Sequence, residues 1–103
     1  MNRIVIARDG DDPDAKARRA AVRPAHLEGI RPLVEAGNVL VGGAILDDEG
    51  DMVGSVMLTD FESQEAFDAW IDNDPYVTGG VWKEIEVRPF RPAVGAWMPA
   101  QVD

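Results

Sequence analysis

Six segments in the order strand, helix, strand, strand, helix, strand predict an α+β domain of the split βαβ, or ferredoxin-like, kind: an antiparallel four-stranded sheet with both helices on one face. Three observations carry this. Short runs rich in Val and Ile recur along the chain, two stretches repeat apolar residues at spacings of three and four, and Gly, Pro and Asp clusters punctuate the joins. The 103 residues are enough for one domain. A core over 1–90 and a tail over 91–103 are expected.

The first strand is Arg3–Arg8, closed by the turn signal Asp9-Gly10. Pro13, within the polar stretch Asp11–Asp14, suits the start of a helix. From Ala15 to Ala36 the composition favours helix, with Leu27, Ile30, Leu33 and Val34 on one face. Pro24, Gly29 and Pro32 interrupt it, and an interior proline removes a hydrogen bond. Two helical pieces or one kinked helix are therefore expected. Pro24 fits the first position of a second piece, with His26 in its first turn. Gly37-Asn38 ends the helix.

Asn38–Leu46 is the second strand, where Gly42-Gly43 marks a bulge or a close approach to the backbone. Asp47–Asp51 is a hairpin loop, and Met52–Asp60 the third strand. Ser63 is a good N-cap for a second helix whose buried face is Ala66, Phe67, Trp70 and Ile71. That helix stops near Asp74, because a residue before proline avoids helical angles. Val81–Phe90 is the fourth strand, with Ile85 and Val87 alternating against Glu84, Glu86 and Arg88.

The sheet face without helices also needs a cover. In so small a chain a second copy of the same sheet serves, so a homodimer is expected, with Trp97-Met98 of the tail available to seal it. The apolar fraction of 46% is that of a folded domain. The net charge of −9 disfavours nucleic acid and anionic membranes as partners. Lys16, Arg18, Arg19, Arg23 and Arg31 are the one basic concentration; they form either an anion patch or a solvated helix face. The first residues are too short for a signal peptide, and no apolar run approaches the roughly 20 residues that span a bilayer, so a cytoplasmic location is expected.

His26 is the only histidine, and there is no cysteine. Zinc chemistry is therefore not expected. An all-carboxylate cation site over Asp47–Asp51 would be shorter than an EF-hand loop. No phosphate-cradling glycine motif is present, and no cofactor is expected. One imidazole and one positioned carboxylate suffice for general acid/base chemistry where a fold joins them. His26 and Asp74 are the candidate pair.

Several motifs in order resemble the YCII-related (YciI-like) family of the dimeric α/β-barrel superfamily. They are Arg18-x-x-x-x-Arg23-x-x-His26-Leu27 followed by Gly37, Gly42-Gly43, Gly54-Ser55, Asp74-Pro75-Tyr76-Val77, Gly80-Val81 and Val87-Arg88-Pro89-Phe90. The resemblance implies a ferredoxin-like protomer, a dimer, and an active site built on a histidine and an aspartate, here His26 and Asp74. It also places a third-strand serine, here Ser55, in the same pocket. One family member resembles a dehydrochlorinase acting on a hydroxyquinone, and superfamily relatives include muconolactone isomerase. Fold alone transfers neither activity. Arg18, Arg23, Ser55 and Tyr76 are the candidate substrate-binding residues, since arginine's planar fork suits a carboxylate or phenolate. Two readings stay open: a cofactor-independent lyase or isomerase acting on a small molecule, and a non-catalytic dimer that binds a small ligand or partner.

Overall fold

The computed structural model describes residues 1–96. The elements are β1 (Asn2–Asp9), α1 (Ala15–Glu35), β2 (Val39–Leu46), β3 (Met52–Asp60), α2 (Gln64–Ile71), α3 (Pro75–Thr78) and β4 (Trp82–Pro89). The strands form one antiparallel sheet in the order β2-β3-β1-β4. This is the ferredoxin-like fold, with the helices on one face. Trp97 and Met98 lie outside the described residues.

Alternation along the strands divides the sheet cleanly. Val5 and Ala7 of β1 pair with Val87 and Ile85 of β4, and with Met57 and Ser55 of β3, on the helix-covered face. Ile4, Ile6, Val56, Leu58, Val41 and Ile45 share the opposite face. The core lies between sheet and helices, where Val5, Val39, Met57, Phe61, Phe67, Trp70, Tyr76, Val81 and Trp82 are buried. Phe61 stacks on Trp70 at 5.6 Å, and Phe67 meets both rings edge-on. Each such pair contributes about 0.5–1.5 kcal/mol beyond its buried area.

Helix α1 differs from expectation. It is one continuous helix in which Pro24 and Pro32 are interior residues, so the two-piece alternative does not hold. His26 therefore sits near the middle of α1 rather than in the first turn of a second piece. Its buried residues are Ala15, Arg19, His26 and Ile30. They are spaced four, seven and four positions apart, which lays a single stripe on the sheet. Leu27 and Val34, which share the helical spacing of Ile30 and Leu33, are exposed. The helix ends in a Schellman motif. Gly37 takes φ 81° and donates its amide to Val34, while Asn38 donates to Leu33.

Ser63 caps α2 as expected, accepting from the Ala66 amide at 3.1 Å. Helix α2 stops at Ile71, three residues before Asp74, and Asp74 starts a further single turn. Its side chain accepts from the Tyr76 amide, and Pro75 fills the first helical position. Asp9 also departs from its expected place in a turn: it is the last residue of β1. A register shift there sets Trp82 opposite Asp9 and turns the indole toward the helices.

Candidate functional site

A cavity of about 220 Å3 opens between α1 and the β2/β3 half of the sheet. Small residues make room for it. Gly42, Gly43 and Ala44 on β2 and Ser55 on β3 form its floor, and α1 presents Arg19, Arg23, His26, Leu27 and Ile30 above it. The irregularities of β2 fall between Val39 and Val41 and between Ile45 and Leu46, so Gly42-Gly43 is not itself a bulge.

His26 and Asp74 meet here. His26 Nδ1 lies 2.7 Å from Asp74 Oδ1, and both residues are buried. Oδ1 also accepts from the Tyr76 amide (2.9 Å), and Oδ2 accepts from Trp70 Nε1 (3.1 Å). An ionised carboxylate only accepts, so this contact calls for a proton on Nδ1. That tautomer leaves the Nε2 lone pair for another partner. The ring stacks on Tyr76 at 3.9 Å with 12° between planes, and Trp82 meets it edge-on at 6.0 Å. One carboxylate thus ties α1, α2 and α3 together and fixes the imidazole in the cavity wall.

A second buried network adjoins the first. Both carboxylate oxygens of Asp9 accept from Arg19 Nη1 at 3.0 Å. Arg19 Nη2 donates to Ser55 Oγ at 2.8 Å, and Trp82 Nε1 donates to the same oxygen at 3.2 Å. The Arg19 guanidinium lies over the Tyr76 ring, 4.7 Å from its centroid. Burial pushes the Tyr76 hydroxyl up from its ordinary pKa, with the charges of Arg19 and Arg23 acting against that rise.

Five of the six sequence-predicted residues converge. His26, Arg23, Ser55 and Tyr76 line the cavity, and Asp74 stands behind the imidazole. Arg18 does not line it. Its guanidinium is bidentate on Asp12, at 2.8 and 3.2 Å, and that hydrogen bond holds the Asp12 carboxyl below the usual range. Arg19, one residue on, occupies the wall instead. Asp9, Arg19, Trp70 and Trp82 are the partners that sequence reasoning missed or left to the core. Stepping back from His26 by seven residues along one helix reaches Arg19; that signal is lost when Pro24 is taken to break the helix.

Elsewhere the Asp47–Asp51 loop gathers three carboxylates, those of Asp47, Glu49 and Asp51. Its Asp47 Oδ1 is occupied by the amides of Glu49 and Asp51, and Lys16 Nζ binds Asp51 at 2.7 Å. These contacts build the loop itself. Among the described residues no helix is long and apolar enough to cross a membrane.

Residues 3–91 match the YCII-related domain. The chain belongs to the YCII-related family. It is 39% identical over 87 residues to protein YciI of Escherichia coli O6:H1, covering 79% of this chain and 89% of that protein. Among solved structures it is similar to 5-chloro-2-hydroxyhydroquinone dehydrochlorinase (TftG) from Burkholderia phenoliruptrix AC1100, in complex with 2,5-dihydroxybenzoquinone. There the TM-score is 0.75 at 27% identity, over 88% of this chain and 94% of that one. It also shares its fold with a dimeric ferredoxin-like protein of unknown function from Jannaschia sp. CCS1, at TM-score 0.52 and 14% identity, over 88% of this chain and 98% of that one. Within this YCII-related chain, the buried histidine–aspartate pair and the arginine–serine pair form two walls of one small cavity.

Proposed function

We propose that the chain is a small cofactor-independent enzyme of the lyase or isomerase type, a homodimer that moves a proton on a small polar substrate. The observation that carries this is the His26 Nδ1 to Asp74 Oδ1 contact of 2.7 Å in the wall of a 220 Å3 cavity. Asp74 holds the ring in one tautomer and supports the positive charge that forms when Nε2 takes a proton. Arg23, on the same wall, attracts a carboxylate or phenolate. The cavity suits a ligand below drug size, since such pockets usually exceed about 300 Å3. The likeness to a dehydrochlorinase in complex with a dihydroxybenzoquinone supports a ring-sized oxygenated ligand.

A second reading rests on the same carboxylate. Asp74 accepts three hydrogen bonds and caps α3, so the pair also suits a purely structural tie in a ligand-binding dimer. Solvent-deuterium uptake separates the two. Small carboxylates, phenols and quinones are incubated in heavy water with the full chain and followed by NMR. On the enzymatic reading, at least one takes up deuterium at carbon, and His26→Asn slows this by about 100-fold or more. Uptake unchanged in His26→Asn, or by no compound at all, leaves the binding reading.

A further inference from the structure

We infer that Ser55 is an obligate hydrogen-bond donor to a ligand oxygen, held in that role by Arg19 and Trp82, so that the site takes a small enolisable carbonyl compound. A hydroxyl offers two lone pairs and one proton. Arginine and the indole nitrogen only donate. Arg19 Nη2 at 2.8 Å and Trp82 Nε1 at 3.2 Å therefore fill both lone pairs of Ser55 Oγ. Asp9 clamps Arg19 in place through both its oxygens. The Ser55 proton is left with no acceptor among the described residues, on a side chain that lines the cavity. Arg19 Nε, in the same wall, also lacks an acceptor there. A buried donor without a partner is costly, so a ligand acceptor is the missing group.

Two donations into Ser55 Oγ also polarise its O–H bond, which strengthens it toward a developing negative charge. It is poorly placed to act as a nucleophile, because its lone pairs are engaged. The ligand oxygen it meets is a carbonyl that becomes an enolate oxygen. This deepens the proton-transfer reading and rests on it. His26 Nε2 takes the proton from the carbon next to the carbonyl. The C–H electron pair becomes the C=C bond of the enolate, and the carbonyl π pair moves to oxygen, where Ser55 O–H holds it. Where a C=C is conjugated with that enolate, return of the proton from Nε2 to its far carbon, as the oxygen pair re-forms the carbonyl and the double bond shifts, completes an isomerisation. Alternatively, the oxygen pair re-forms the carbonyl, and the enolate pair forms a C=C to the next carbon. A leaving group departs from that carbon with its electron pair, and the proton on Nε2 passes to the leaving group or to solvent, which completes an elimination. Size and charge narrow the class further. A dry cavity of about 150 Å3 holds one benzene ring, so 220 Å3 holds one substituted ring or an equivalent chain. Among the described residues no acidic side chain lines the cavity, and Arg23 does, which favours one anionic group on the ligand. Arg19 and Trp82 are positioning residues, and Ser55 is the group that touches the ligand.

The test uses 2,5-dihydroxybenzoquinone as the probe, with the full chain, by calorimetry and by difference infrared spectroscopy of its carbonyl band. Binding to the native chain moves that band to lower frequency. Ser55→Ala weakens binding about ten-fold or more and abolishes the band shift. Arg19→Lys and Trp82→Phe, with unchanged circular dichroism, shrink the shift, which a merely structural role would not do. No saturable binding to the native chain, or a band shift that persists in Ser55→Ala, overturns the inference. The two readings fail separately. If His26→Asn stops deuterium uptake while Ser55→Ala alters neither affinity nor band, proton transfer stands and the donor role of Ser55 falls. If the band responds to Ser55 but no compound takes up deuterium, the donor role stands as a binding contact and the enolisation step falls.

Discussion

Tyr76 shows at single-residue scale how the cavity is built. Its ring stacks on the His26 imidazole and carries the Arg19 guanidinium 4.7 Å from its centroid, and burial raises the pKa of its hydroxyl above the ordinary 10.0. A group whose folded pKa is raised stabilises the fold fully below its unfolded pKa, and that contribution is lost as pH rises through the folded value. Stability should therefore decline above about pH 10. Because Tyr76 is the only tyrosine, an absorbance titration reads its ionisation directly. Its midpoint should lie above that of the unfolded chain, and Tyr76→Phe should remove both the signal and this part of the alkaline loss. Among the site residues, His26 was legible as the lone histidine, and Asp74 through the family motif Asp74-Pro75-Tyr76-Val77, since Asp12-Pro13 also sets a carboxylate before proline. Arg18 and Arg19 were not separable in that way. Adjacent residues on a helix point about 100° apart, so the phase of the stripe decides which guanidinium is buried. The prolines obscured that phase.

The strands were legible nearly to the residue, since alternation such as Ile85 and Val87 against Glu84, Glu86 and Arg88 fixes faces directly. Helices carried less. Helix α1 tolerates Pro24 and Pro32 because tertiary packing of its buried stripe outweighs a local cost of about 3 kcal/mol per interior proline. Helix α3 is a single turn, too short for any periodic signal, and only its Asp74-Pro75 cap marks it. The pairing of β1 with β3 has its own strict requirement at Gly54. A Cβ there would lie 2.5 Å from the Ala7 carbonyl oxygen and 3.2 Å from Ile45 Cδ1. The nearer obstacle is backbone of the paired strand and cannot swing aside. Gly54→Ala should thus destabilise the protein by about 1–3 kcal/mol, read as a lower urea midpoint with an unchanged slope. Ser55 follows Gly54, so that variant should also loosen the cavity floor and weaken ligand binding.

For the whole molecule, among the described residues, the sheet has one helix-covered face and one open face. Ile4, Ile6, Val41, Ile45, Val56 and Leu58 share the open side, with Val41 48% and Val56 37% exposed. An apolar sheet face of this kind is a surface for association. A second copy is its proposed cover, as expected for a sheet face without helices in so small a chain. Light scattering should give about twice the 11.2 kDa chain mass, and Val56→Glu, which buries a charge in that face, should give the single-chain mass. A single-chain mass for the unmodified protein at micromolar concentration would remove the dimer from the account. Dimerisation and the His26–Asp74 contact make separate demands on the sequence: the contact lies wholly within one protomer.

The proposed proton transfer requires Asp74 to hold the His26 proton on Nδ1, so that Nε2 is the base. Nitrogen NMR of the single imidazole measures this most directly, because the two ring nitrogens of a neutral histidine differ sharply in shift according to which carries the proton. The predicted result is the Nδ1–H form in the native chain, with the Nε2–H form appearing in Asp74→Asn. A native ring protonated on Nε2, or a tautomer indifferent to Asp74→Asn, would contradict it.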